Sequence, residues 1–206
     1  MKEIRLLMRK INEIFHSIQG EGCRSGVPSV FVRFSGCNLR CSFCDTQHER
    51  GRYLTDDEII EEIRKYKARQ IVLTGGEPSL YIDREFILRL KEATGMEIAI
   101  ETNGTRQLPE GIDWVTLSPK LGMSETGDAS IKVSHANELK VVDTGQKLEG
   151  YFNLACVDEK TIFLLQPCYV EDAQEREENT RRTINRVLED CRWRLSLQTH
   201  RMVGVK

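Results

Sequence analysis

Short apolar runs and longer stretches of helical periodicity alternate along this chain. Runs rich in Val, Ile and Phe predict β-strands, because such residues pack well on a pleated, half-buried surface. These runs lie at 11–18, 30–34, 71–73, 98–100, 115–117, 139–142, 162–165 and 194–197. Most of them end in polar or glycine-rich segments, which is where a parallel sheet presents residues to a ligand.

Three segments carry apolar residues at helical spacing. The first begins with a capping box formed by Thr55 and Glu58 and is predicted to run to about Lys67. The second follows Asp83 as its N-cap and stops near Gly95. The third is predicted over 171–191, and its apolar side is expected to contain Ala173, Thr180, Ile184, Val187, Leu188 and Cys191.

The order of strand, polar ending and helix predicts βαβ units and a parallel sheet. A closed eight-fold barrel typically needs about 250 residues, whereas this chain has 206. The expected fold is therefore α/β, a reduced or partial (β/α) barrel with a mainly parallel sheet and few helices. We expect one domain over 1–206, with the connection between Lys120 and Glu138 formed by a loop.

Composition narrows the possible partners and compartment. A formal net charge of −2 offers no broad basic field, so we expect no nucleic-acid partner. No apolar stretch is long enough to span a bilayer, and charged residues interrupt 1–10, so we expect neither a membrane association nor a signal peptide. The seven cysteines are an odd number that does not pair off into a disulfide framework, and we expect a cytoplasmic protein with reduced thiols.

Three of those cysteines follow the strand at 30–34 directly. Cys37, Cys41 and Cys44 have the spacing C-x3-C-x2-C. Three thiolates can bind three of the four irons of a cubane cluster and leave the last iron open to a small molecule. Two alternatives compete with this interpretation: a zinc site completed by His48, and three cysteines that bind nothing.

Other polar segments lie next to the predicted strands. Arg33 interrupts an apolar strand just before the cysteine loop, so it is either a surface residue or a bidentate clamp for a carboxylate. Gln-Gly-Glu-Gly at 19–22 is either a plain loop or a place where the backbone approaches a ligand closely. Thr-Gly-Gly-Glu-Pro at 74–78 ends the next strand.

The cysteine loop with Phe43 before its last cysteine, together with the segment at 74–78, resembles the radical S-adenosylmethionine superfamily. Further segments resemble one of its families, the 7-carboxy-7-deazaguanine synthases. These segments lie at 19–22, 31–34, 44–46, 101–104, 118–120 and 198–200, where the last reads Gln-x-His. The resemblance covers nearly the whole chain and is least clear over 1–10 and 121–136.

The resemblance implies one [4Fe-4S] cluster, S-adenosylmethionine and Mg2+ as cofactors. Cys37, Cys41 and Cys44 would bind the cluster, and the open iron would chelate the amino and carboxylate groups of S-adenosylmethionine. Thr46 would bind Mg2+ through its hydroxyl, a hard oxygen ligand of the kind that Mg2+ prefers. The residues implied to contact S-adenosylmethionine are Phe43, Cys44, Asp45, Gly76, Glu77, Ser118, Pro119, Lys120, Gln166, Pro167, Cys168 and Tyr169.

The resemblance also implies a lyase that converts 6-carboxy-5,6,7,8-tetrahydropterin to 7-carboxy-7-deazaguanine with loss of ammonia, in the biosynthesis of queuosine and related 7-deazapurines. Arg33 would pair with the pterin carboxylate, while His200 and the terminal carboxylate of Lys206 would close the pocket. The full set of implied substrate contacts is Ile18, Gln19, Gly20, Arg33, Thr74, His200 and Lys206. An electron donor such as a flavodoxin or ferredoxin and a homodimeric assembly are implied as well.

Two other functions share some of these features. An activase of glycyl-radical enzymes would have the same cysteine loop and a similar turn at 74–78, but it acts on a protein partner. The segments at 19–22 and 118–120 favour the synthase over the activase. A zinc or iron–sulfur binding module without catalysis is the non-enzymatic alternative.

Overall fold

The computed structural model describes residues 8–42, 44 and 50–206. Nine strands of this part of the chain form one sheet. The strands are β1 (Met8–Ile18), β2 (Pro28–Phe34), β3 (Arg52–Thr55), β4 (Gln70–Gly75), β5 (Glu97–Thr102), β6 (Trp114–Leu117), β7 (Glu138–Asp143), β8 (Ile162–Pro167) and β9 (Trp193–Leu195). The helices are α1 (Asp56–Ile63), α2 (Arg84–Thr94), α3 (Ala173–Glu189) and α4 (Thr199–Val203).

The strand order is β3-β1-β2-β4-β5-β6-β7-β8-β9. β1 pairs antiparallel with β2 and with β3, and every pair from β2–β4 to β8–β9 is parallel. The predicted fold class, a partial barrel with a mainly parallel sheet, is confirmed. Because the parallel strands run the same way, the segments that follow them collect along one edge.

Alternate residues of each strand face opposite sides of this sheet. On one side, Val32, Leu73 and Ile100 belong to the main hydrophobic core, to which Ile59 of α1 and Phe86 of α2 contribute. On the other side, Phe31, Val72 and Ala99 form a smaller cluster against Phe15 and Trp114. Within the described residues, no helix has the length and apolar character needed to cross a bilayer.

Several elements differ from the prediction. β3 and α4 were not predicted, since their short sequences lack a clear period. α1 has the expected capping box but ends at Ile63, short of Lys67, because the chain turns there and Tyr66 donates its N–H to the Ile63 carbonyl. The segment between Lys120 and Glu138 is a loop, as expected, apart from an isolated bridge between Cys41 and Ser124.

The predicted apolar side of α3 is wrong. Ile184 and Leu188 are 37% and 78% exposed, and the helix instead buries Asn179 and Thr183. The cause is Asp143, fully buried at the end of β7, whose carboxylate accepts a hydrogen bond of 2.9 Å from the Thr183 hydroxyl and pairs with Arg186. A buried carboxylate needs such partners, so a polar contact fixes how α3 docks.

Candidate functional site

A cavity of about 590 Å³ opens where the carboxyl ends of the parallel strands meet the loop after β1 and the segment around α4. It brings together residues that are far apart in the sequence. The predicted site residues that line it are Ile18, Gln19, Gly20, Arg33, Cys37, Cys41, Cys44, Thr74, Gly76, Ser118, Lys120, Gln166, Pro167, Cys168, Tyr169, His200 and Lys206. Phe43, Asp45, Thr46 and the alternative zinc ligand His48 lie outside the described residues.

Two predicted residues are placed elsewhere. Pro119 is buried and does not line the cavity. Glu77 is fully buried, and its carboxylate accepts hydrogen bonds from the backbone N–H of Ser79 and Asn103 and from the Thr102 hydroxyl, at 3.0, 2.7 and 2.7 Å. This side chain therefore joins the end of β4 to the end of β5, and the contact of Glu77 with S-adenosylmethionine stays a prediction.

The three cysteine thiols face one space and influence one another. Burial raises the pKa of Cys37 and of Cys41, and the neighbouring cysteines raise both further, whereas Lys120 acts to lower that of Cys41. Among the described residues, no three Cys, His, Asp or Glu side chains are close enough together to hold a single metal ion. A cubane cluster is bound by thiolates on different irons, so its ligands stand farther apart than those of one ion.

The cysteine loop is held against the ends of β4 and β5. A Cβ on Gly76 would overlap the carbonyl oxygen of Gly36, so the two backbones approach as closely as glycine allows. Asn38 donates to the Thr105 hydroxyl at 2.8 Å and accepts from Asn103 at 3.1 Å. Thiols are the soft ligands that iron–sulfur clusters prefer. Their position on a fixed loop beside an open cavity would also let a small molecule reach the cluster.

The cavity is also lined by a buried charge network, centred on Lys140, that the sequence analysis did not identify. Lys140 of β7 is 5% exposed and pairs with Glu21 and, at 3.6 Å, with Glu101. Burial opposes the charge of Lys140, but Glu101 and Glu21 outweigh that cost and raise its pKa. Lys140 interrupts an apolar strand just as Arg33 does, and this interruption could have marked it in the sequence as a candidate site residue.

Glu101 also links the network to predicted substrate contacts. It accepts hydrogen bonds from the Gln19 side-chain amide at 3.1 Å and from the Thr74 hydroxyl at 2.8 Å. Carboxylate, amide and hydroxyl groups are thus grouped within one part of the wall, with their partners arranged before any ligand arrives. Such a surface suits a flat, nitrogen-rich ring that both donates and accepts hydrogen bonds.

The segment around α4 covers the cavity on the side of the loop that follows β1. The N–H of Thr199 donates to the Gly20 carbonyl at 2.9 Å, and Gln198 donates to Glu21 at 2.7 Å. His200 lies so close to Gly20 that a Cβ there would overlap its imidazole. Burial lowers the pKa of His200, so its ring is neutral at neutral pH.

Comparison with known proteins places this arrangement in a family. Residues 31–140 match the radical SAM superfamily. The chain is 52% identical over 200 residues to a 7-carboxy-7-deazaguanine synthase of Bacteroides thetaiotaomicron, covering 97% of this chain and 100% of the relative. A synthase of the same name from Nitratidesulfovibrio vulgaris is 39% identical and covers 95% of this chain and 98% of its own.

A solved structure agrees with the sequence relatives. The crystal structure of QueE from Escherichia coli superposes with a TM-score of 0.75 at 28% identity, and the match covers 94% of this chain and 95% of that one. The similarity therefore extends over almost the whole chain rather than an isolated motif. The chain belongs to the 7-carboxy-7-deazaguanine synthase family of the radical SAM superfamily.

Proposed function

We propose that this chain is a lyase that converts 6-carboxy-5,6,7,8-tetrahydropterin to 7-carboxy-7-deazaguanine with loss of ammonia. The proposal is carried by one observation: three thiols, Arg33 and a network of carboxylates line a single cavity. The relatives that bear the name of this activity match the chain over almost its whole length.

The cofactors follow from the superfamily. Radical SAM enzymes use a [4Fe-4S] cluster and S-adenosylmethionine, which when bound supply the one-electron chemistry that starts the reaction. Cys37, Cys41 and Cys44 would bind the cluster. The residues that would surround S-adenosylmethionine are Gly76, Ser118, Lys120, Gln166, Pro167, Cys168 and Tyr169, all of which line the cavity.

Arg33 would orient the substrate through the pterin carboxylate. It lies on β2 directly before the cysteine loop, so a carboxylate bound there holds the ring at a fixed distance from the thiols. A guanidinium binds a carboxylate through two parallel hydrogen bonds, which fixes direction as well as position. A fixed direction matters because radical abstraction acts on whichever hydrogen is nearest.

The part of the cavity lined by Gln19, Thr74 and Glu101 would bind the pterin ring. Gln19, Thr74 and Glu101 present hydrogen-bonding groups to the cavity, and Ile18 and Gly20 line it beside them. Lys140 keeps its proton throughout the usual assay range, since its pKa is raised, so it acts as a fixed positive charge rather than as a base. Gln166–Tyr169 and the segment around α4 would exclude water from the reacting atoms.

Magnesium and an electron donor complete the proposal. Thr46 would bind Mg2+ through its hydroxyl, with substrate oxygen and water as the remaining ligands. A one-electron donor such as a flavodoxin or ferredoxin is supported by the exposure of Cys44, because electron transfer needs a close approach to the cluster. The homodimer implied by the family resemblance stays a prediction.

Metal analysis after anaerobic purification tests the cofactor assignment. We expect about four irons with matching sulfide per chain, and loss of both iron and turnover on Cys41→Ala. Thr46→Ala should keep the iron and lower only the apparent affinity for Mg2+. One zinc per chain without iron would instead establish the binding module, and a stable complex with a large protein without pterin affinity would favour the activase.

A further inference from the structure

Glu13 lies between two cations at the rim of the cavity. It is the cross-strand partner of Arg33, so the two side chains share one face of the β1–β2 pair. One carboxylate oxygen of Glu13 accepts from Nε of Arg33 at 3.0 Å, and the other pairs with Nζ of Lys206. All three residues line the cavity.

This contact leaves the carboxylate-binding end of Arg33 available. A guanidinium has two hydrogen-bonding edges, one of them formed by Nη1 and Nη2 alone. None of the described residues accepts a hydrogen bond from either of these nitrogens, whereas Nε is bound to Glu13. Glu13 thus holds the guanidinium by Nε and leaves the Nη1–Nη2 edge for a bidentate partner.

Lys206 is fixed in the same place by two further contacts. Its main-chain oxygen accepts a hydrogen bond of 2.7 Å from the Ser17 hydroxyl of β1. Its ammonium lies 4.7 Å from the centre of the Phe15 ring, which stacks on Phe31. The side chain therefore lies along β1 with its charge beside that of Arg33.

We propose that Glu13 is a positioning residue that holds Arg33 and Lys206 as a paired cationic site for the carboxylate of the substrate. Glu13 pairs with both cations, and Arg33 keeps its Nη1–Nη2 edge for two parallel hydrogen bonds to one carboxylate. The proposal rests on the proposed function, because it assigns a task to the rim of the same cavity. It adds two residues to that task, Glu13 and the side chain of Lys206.

The charge of Glu13 is maintained under working conditions. Burial acts to raise its pKa, but hydrogen bonds from Lys206 and Arg33 outweigh burial and lower it. The Arg33 and Glu13 side chains are 27% and 28% exposed, and that of Lys206 is 62% exposed. Because these pairs lie at the rim and are partly exposed, solvent screens them and substitutions here should have only a modest effect on folding stability.

Steady-state kinetics of the reconstituted holoenzyme test the proposal with the Glu13→Ala variant. We expect KM for the carboxylated pterin to rise by about tenfold or more, with a smaller change in kcat, because Arg33 loses its orientation. Glu110→Ala is the matched control, since Glu110 also accepts from an arginine Nε, that of Arg84, but is 86% exposed and outside the cavity. It should leave KM unchanged.

A second ligand separates positioning from general damage to the pocket. Tetrahydropterin without the carboxylate should inhibit the Glu13→Ala variant and the parent enzyme with the same inhibition constant. Glu13→Gln keeps a neutral acceptor for Nε and should raise KM less than Glu13→Ala does. Lys206→Met should raise KM a few-fold, while Lys65→Met, which removes an exposed lysine of another ion pair, should not.

The outcomes also separate this proposal from the proposed function. If the parent enzyme does not turn over the carboxylated pterin, the substrate assignment itself fails. If the parent enzyme is active and Glu13→Ala leaves KM unchanged, the positioning role of Glu13 is wrong and the function stands. An equal loss of affinity for the pterin without a carboxylate would mean that Glu13 supports the pocket structurally.

Discussion

Lys140 shows how a single residue departs from the pattern of its strand. It lies inside an apolar run of β7, yet its ammonium is buried in the cavity wall between Glu21 and Glu101. Burial alone would raise the pKa of Glu21, but Lys140 outweighs it and lowers that pKa to about 2. Because each charge is maintained by the others, removing one should expose the cost of burying the rest.

Lys140→Met should therefore lower the free energy of unfolding by about 3 kcal/mol at pH 7. This value is at the lower end of the range for a broken buried ion pair, because the remaining carboxylates keep partial access to water. Urea unfolding of the anaerobic protein measures this loss. Lys65→Met, in an exposed pair with Glu62, should leave the free energy of unfolding unchanged. Equal stability of Lys140→Met and the parent would mean that the charge network contributes nothing to folding.

The same variant has a defined pH dependence. The pKa of Glu21 lies below its usual value of 4.5 in the folded protein, so its contribution to stability is complete above that pH. The contribution is lost as the pH falls from about 4.5 towards about 2. The difference in unfolding free energy between the parent and Lys140→Met should therefore shrink as the pH falls through this range.

At the scale of elements, the cysteine loop depends on the end of β4 as much as on its own residues. Gly36 and Gly76 approach at the backbone, and Asn38 and Asn103 join the loop to the end of β5. The loop is thus fixed from two strands, which is what three thiols require if they are to bind one cluster. Supporting contacts of this kind position metal ligands although they do not touch the metal.

Gly76→Ala should separate the two loops, because the added Cβ meets backbone that cannot rotate away. We expect turnover to fall by about tenfold or more, since a small displacement of the reacting groups is costly, and iron content to fall with it. Gly150→Ala is the control, because a Cβ there meets open space. Full activity and full iron content in Gly76→Ala would show that the close approach is not needed.

Elements with a strong local period could be predicted from the sequence, and others could not. The parallel strands and α2 were found because apolar spacing and the caps Asp83 and Gly95 determine them locally. β3 forms through pairing with β1, and α3 docks through Asp143, which lies far away in the sequence. Because these features depend on long-range partners, the local pattern indicated neither β3 nor the docking face of α3, although it did predict the helix itself.

At the scale of the whole molecule, the sheet brings the polar segments that follow its strands together in one site. Most predicted site residues that the structure describes line the same cavity, because parallel strands deliver their carboxyl ends to one edge. Glu13 and Lys140 were missed, since their roles depend on charges brought close by folding: Arg33, Glu21 and Glu101. The hydrogen bond from Thr102 of β5 to the buried Glu77 carboxylate could not be predicted either, because it also depends on folding.

The most direct test of the proposed reaction is the amount of 7-carboxy-7-deazaguanine formed for each S-adenosylmethionine consumed. The assay contains reconstituted enzyme, the carboxylated tetrahydropterin, magnesium and a reductant under anaerobic conditions. The resemblance to the 7-carboxy-7-deazaguanine synthases implies that S-adenosylmethionine is used catalytically, so many product molecules should form for each cofactor molecule lost. Cleavage of S-adenosylmethionine without any deazapurine product would contradict the assignment of substrate and reaction.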